Sequence, residues 1–87
     1  MEKKVILGIL LANRVDEASK FQEIITKYGC NIKTRIGLHN TGNNKCSSEG
    51  IILLEIIGDD NDIENLENEI KTIINAQVQK MVFSTGI

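Results

Sequence analysis

The stretch "NIKTRIGLHNTGNNKCSSEGIILLEII", residues 31–57, contains two different kinds of strand and a polar gap between them. In the first nine residues Ile32, Thr34, Ile36 and Leu38 alternate with Asn31, Lys33, Arg35, Gly37 and His39. A period of two places one set on each face of a strand, one apolar and one polar. From Ile51 to Ile57 every residue except Glu55 is a large aliphatic, the composition of a strand buried on both faces. Asn40 to Gly50 carries no aliphatic or aromatic side chain and reads as a loop. The two strands therefore form a hairpin, and what flanks the hairpin decides the fold.

On its N-terminal side lies "VILGILLA", Val5 to Ala12, a continuous apolar run expected to be a buried strand. Asn13 to Asp16 supplies a turn and a cap. The apolar period then becomes helical, with Val15, Ala18, Phe21, Ile24, Ile25 and Tyr28 on one stripe. Gly29 follows as the expected C′ residue with positive φ. On the C-terminal side, "GDDNDIENLENEIKTIINA" opens with acidic residues suited to a helix N-terminus. Asn61 and Glu64 have the spacing of a capping box, and helix capping accounts for Asp59, Asp60 and Asp62. Ile63, Leu66, Ile70, Ile73 and Ile74 form the buried stripe, and Gln77 to Phe83 closes as a mixed strand.

The order is β-α-β-β-α-β. Two right-handed crossovers of this kind produce an α+β ferredoxin-like sandwich: a four-stranded antiparallel sheet, strand order 4-1-3-2, with two helices on one face. The first and third strands fall in the centre, and they are also the most apolar. The 87 residues are expected to form one domain, residues 1–87.

Composition narrows the function. Aromatics make up 3% against 41% hydrophobic residues, so Ile, Leu and Val must build the core. A formal charge of −2 without a basic cluster argues against direct nucleic-acid binding. No run of 18 apolar residues marks a membrane span. "MEKKVILGILLA" has lysines before an apolar run, as a signal peptide does, but the run is short and Asn13, Arg14 and Asp16 follow it without a small-x-small cleavage site. Free cysteines and no export signal point to a cytoplasmic protein. No Ser/His/Asp set, paired carboxylates, phosphate loop or nucleophile motif is present, so the chain is not expected to be an enzyme.

With helices on one face, the other face of the sheet stays open. Assigning the apolar set of the second strand to the helices, together with Ile52, Leu54 and Ile56, leaves Lys33, Arg35, Gly37, Ile51, Leu53, Glu55 and Ile57 on the open face. That register pairs Leu38 with Ile52 and Ile36 with Leu54, and sets Arg35 opposite Glu55. The first strand adds either Val5, Leu7, Ile9 and Leu11 or Ile6, Gly8, Leu10 and Ala12. Either choice uncovers several large aliphatics, which favours a homodimer or homotetramer through the open face over coverage by neighbouring lysine and arginine stems.

"ILGILLANRVDEASKFQEIITKYG" (residues 6–29), "IKTRIGL" (32–38) and "IILLEIIGDDNDIENLENEI" (51–70) together resemble the ACT-like family of iron-only hydrogenase system regulators. Asn13 and Arg14 after the first strand, and Arg35, Ile36 and Gly37 in the second, carry the closest likeness. The resemblance covers nearly the whole chain, except the loop between His39 and Cys46. It implies an ACT-like fold, paired sheets, a small-molecule effector bound where subunits meet, and a hydrogenase-related protein as partner. It also points to Asn13, Arg14, Arg35 and Gly37 as ligand- or partner-binding residues. ACT effector loops commonly carry a glycine after the first strand, and the corresponding "NRVD" has none.

The alternative is a metal-sensing or metal-handling protein. His39 and Cys46 have side chains suited to a transition metal such as zinc and could meet across the loop. Two ligands do not complete a structural site, so a metal would need a second copy's pair at a subunit junction. Cys30 lies before the second strand and Cys46 beyond its far end, roughly 25–30 Å apart at ~3.3 Å per residue, which rules out an intrachain disulfide. Outside that alternative no cofactor is expected, and His39 and Cys46 are then a solvated histidine and an ordinary thiol in a hairpin loop.

Overall fold

The computed structural model describes residues 3–11, 14–39 and 50–84, the side chains of residues 14–16, 38 and 39 aside. The elements are β1 (Lys3–Leu11), α1 (Arg14–Lys27), β2 (Ile32–His39), β3 (Gly50–Ile56), α2 (Asp60–Lys71) and β4 (Ala76–Ser84). They form one four-stranded antiparallel sheet in the order β2-β3-β1-β4. This is the ferredoxin-like βαββαβ sandwich, with the two most apolar strands in the centre as expected.

The core follows from the strand period. Val5, Leu7, Ile9 and Leu11 of β1 and Ile52, Leu54 and Ile56 of β3 are buried against Phe21, Ile24 and Ile25 of α1 and Ile63, Leu66 and Ile70 of α2. Full burial of one such side chain contributes about 1.5–3 kcal/mol, so these two strands carry much of the stability. The open face of β1 is thus the set Ile6, Gly8 and Leu10.

The helix ends differ from expectation in three places. Asp59, not Asn61, caps α2: its Oδ1 accepts from the backbone N of Asp62 at 2.8 Å. The acidic run begins two residues before Asn61, and the first side chain able to reach the third amide takes the cap. Gly29 does not stop α1 by a positive φ. The chain tightens after Lys27 into a 3-10 turn over Gly29–Asn31, and the positive φ values among the described residues belong to Gly58 and Asn75. Ile74 is 77% exposed: α2 ends at Lys71, and the stripe extends beyond it only as far as Ile73, which is 5% exposed.

The largest correction is the hairpin register. Thr34 pairs with Glu55, Arg35 with Leu54, Ile36 with Leu53, Gly37 with Ile52 and Leu38 with Ile51, with an irregularity between Ile32 and Thr34. Ile32 still faces the helices opposite Ile56, but the bulge at Lys33 inserts one extra residue and reverses the phase. Thr34 and Ile36 therefore occupy the open face, and Arg35 and Gly37 the helix face. Arg35 and Glu55 lie on opposite faces, so the expected charge pair does not exist. The edge position explains why this is tolerated. Arg35 lays its guanidinium over the Phe21 ring, 5.8 Å from the centroid, and donates to Gln22 Oε1 at 3.3 Å while remaining exposed.

Candidate functional site on the open sheet face

Reversing β2 enriches the open face in apolar groups. Reading across the sheet from β2 to β4, one row is Thr34, Glu55, Ile6 and Met81; the next is Ile36, Leu53, Gly8 and Gln79; the third is Ile51, Leu10 and Gln77, with the backbone of Leu38 in register beside Ile51. Lys4 and Phe83 pair at one end. Ile36 is 48% exposed, Ile51 43%, Met81 48% and Phe83 54%. The described charged groups of these rows are Lys4 and Glu55, one of each sign. Thr34 Oγ1 donates to Glu55 Oε1 at 3.3 Å.

Gly8 makes a hollow in the middle of this face. It lacks a side chain between Leu53 on β3 and Gln79 on β4, and an open depression of about 360 Å³ forms there. Gly8, Leu10, Ile51, Gln77, Gln79 and Met81 line it. The lining is aliphatic with two amides and no charged residue. Such a surface can seat an apolar side chain, or a small uncharged or zwitterionic molecule that hydrogen-bonds to the glutamines. The sequence carried one signal for this feature: a lone glycine inside the apolar run "VILGILLA", a position that often marks close approach by a ligand or another chain.

Ionised clusters sit on the helix side instead. Glu67 of α2 is 9% exposed and meets Lys80 at 3.0 Å and Lys71 at 3.1 Å. Burial opposes its ionisation, but the hydrogen bonds from Lys80 and Lys71 outweigh it and hold the carboxyl below its usual value. Glu69 accepts from Lys27 at 2.9 Å and from the Tyr28 hydroxyl, tying the end of α1 to α2. Hydrogen bonds from Tyr28 and Lys27 lower the Glu69 pKa, and the same contacts raise those of Tyr28 and Lys27. A wider hollow of about 520 Å³ at the start of α2 holds Lys3, Lys4, Asp59 and Asp60, where Lys3 pairs with Asp60 at 3.1 Å.

The sequence-derived site residues do not gather here. Arg35 and Gly37 occupy the helix face of the edge strand, where Arg35 is engaged with α1 and a Cβ on Gly37 would meet nothing within 4 Å. Arg14 begins α1, about 12 Å along the helix axis from Gln22. Asn13 and Cys46 lie outside the described residues, as does the loop from Asn40 to Glu49. The backbone of His39 ends β2 opposite Gly50. Cys30 is exposed in the 3-10 turn. Among the described residues no group of three or more His, Cys, Asp or Glu is placed to hold a metal, and no helix is long and apolar enough to cross a membrane.

The sequence matches no protein-family model and no curated protein. Solved structures do resemble the fold. The uncharacterized protein TM1266 from Thermotoga maritima superposes with a TM-score of 0.80 at 23% identity, covering 95% of this chain and 100% of that one. CPII, a nitrogen regulatory PII-like protein from Thiomonas intermedia K12 bound to ADP, AMP and bicarbonate, gives 0.59 at 11% identity over 99% and 98% of the two chains. A dimeric ferredoxin-like protein from an uncultured marine organism gives 0.50 at 10% identity over 98% and 96%. At these identities the likeness establishes the sandwich alone.

Proposed function

We propose that this chain is a small non-catalytic regulatory domain that assembles through its open sheet face and holds a small effector in the hollow above Gly8. One observation carries the reading: a contiguous apolar face, cut by a central hollow, on a domain whose ionised clusters lie elsewhere. Contiguous exposed apolar surface on a small domain marks an interface. A second copy suits it because the described charges of the face are one lysine and one glutamate, so two faces meet without a charge surplus of either sign. CPII is of the same fold and is described bound to ADP, AMP and bicarbonate, which supports effector binding as a use of this sandwich. The uncharged lining here favours an amino acid or similar small molecule over a phosphate. The resemblance of residues 6–29, 32–38 and 51–70 to the hydrogenase system regulators supports a regulatory role in that system, with a hydrogenase-related protein as partner.

Light scattering of the purified chain tests assembly, and a thermal-shift screen of amino acids against nucleotides tests the effector. A dimer or tetramer, stabilised by an uncharged or zwitterionic compound and destabilised in assembly by Ile51→Lys, is expected. A parent chain that stays monomeric at high concentration would sink the reading.

A further inference from the structure

The sheet has two edges, and they are built differently. β2 is bulged between Ile32 and Thr34 and carries Lys33 and Arg35, devices that keep an edge from pairing with another chain. β4 runs unbroken for nine residues in register with β1. Its one charged side chain, Lys80, turns to the helix face and is engaged by Glu67 at 3.0 Å. Met81 and Phe83 are exposed on the open face, and Val82, on the opposite face beside Val5, is 51% exposed. Three consecutive apolar residues are thus exposed on both faces of an edge that pairs with no strand among the described residues. Packing of the open face alone would leave Val82 in water.

We propose that the β4 edge pairs antiparallel with the β4 edge of a second copy, about a twofold axis at Val82, to make a continuous eight-stranded sheet. The occupant follows from the strand itself. Met81-Val82-Phe83 is nearly symmetric in apolar bulk, so an axis at Val82 sets Val82 against the partner's Val82 and Met81 against the partner's Phe83. Aliphatic and aromatic residues directly opposite one another are favourable cross-strand pairs. The same axis sets Lys80 opposite the partner's Ser84. An axis at Lys80 would instead put two ammonium groups face to face, which is unfavourable. Pairing also lays the two open faces side by side, so edge pairing and face packing together give a tetramer. The inference goes beyond the proposed face packing, because Val82 points away from that face.

Cross-linking tests the edge directly. In a Cys30→Ser, Cys46→Ser background, Val82→Cys places two thiols at adjacent Cα positions about 4.5–5.5 Å apart, within disulfide reach. Gln79→Cys is the control, since the axis holds its two copies roughly 20 Å apart. With oxidised glutathione and concentrated protein, Val82→Cys should convert to a covalent dimer at least tenfold faster than the control. Equal rates would overturn the proposal. Val82→Lys, at an exposed position that tolerates the change, should halve the assembly mass while the circular dichroism stays that of the parent. An unchanged mass would overturn it as well. Ile51→Lys acts on the open face alone, so Val82→Cys cross-linking that survives Ile51→Lys upholds the edge whatever becomes of the face.

Discussion

Gly58 shows how one residue ties the end of β3 to the start of α2. Its φ is +128°, and a Cβ there would lie 2.6 Å from Asn31 Nδ2 and 3.1 Å from Asp62 Oδ2. Asn31 uses that amide to donate to the Ile57 carbonyl at 3.1 Å. Gly58→Ala therefore combines backbone strain with loss of a side-chain hydrogen bond. It should destabilise the domain by about 1–3 kcal/mol in urea melts. Glu67 makes the second prediction at this scale. Its pKa lies below the usual carboxylate value of 4.5 in the folded chain, because Lys80 and Lys71 favour the ionised form against the cost of burial. A depressed carboxylate contributes stability above its unfolded pKa and loses it as pH falls through the folded value. Glu67→Gln should cost about 1.5–3 kcal/mol at neutral pH, typical of hydrogen bonds to charged groups. It should also flatten the loss of stability below pH 4.5. A parent and variant with parallel acid curves would show that the triad is not linked to folding.

At the scale of elements, the hairpin separates what periodicity reports from what it does not. Strand identity, element order and sheet order follow from runs of side chains. The Ile63, Leu66, Ile70 and Ile73 stripe is buried as its spacing predicts. The face of β2 did not follow, because alternation is symmetric under a one-residue slip and the bulge at Lys33 carries no glycine or proline to mark it. Alternation places the apolar set of a strand against the core, whereas this edge strand keeps Ile32 there and turns Thr34 and Ile36 to the open face. The candidate site was hidden for the same reason: the rows around Gly8 exist only once four strands are in register. Arg35→Ala tests the corrected register. With Arg35 packed on Phe21 and Gln22, the variant should lose about 0.5–1 kcal/mol of stability, the scale of an exposed cation–π contact. Its assembly mass should equal that of the parent. Weakened assembly would instead place Arg35 at the interface.

At the scale of the whole molecule, stability and assembly become one quantity. A domain of 87 residues has a thin core, and its large apolar side chains are divided between the helix side and an open face carrying Ile36, Ile51, Met81 and Phe83. Burying the open face against another copy couples unfolding to dissociation, so the melting temperature should rise with protein concentration. The size of the effect follows from the unfolding entropy, about 2.1 cal/mol/K per residue. A tenfold increase in concentration contributes about 1.4 kcal/mol for each association step, which corresponds to roughly 4–6 °C for a dimer or tetramer of this length. Ile51→Lys places a charge in the middle of the open face and leaves Leu7, Ile9 and Leu54 of the core untouched. The variant should fold, melt at a lower temperature and keep only the concentration dependence of the single association step that β4 edge pairing supplies. Calorimetry at three concentrations of parent and variant separates the outcomes. A parent melt that does not move across two decades of concentration would mean that the face remains in water, and the apolar rows around Gly8 would then need another occupant.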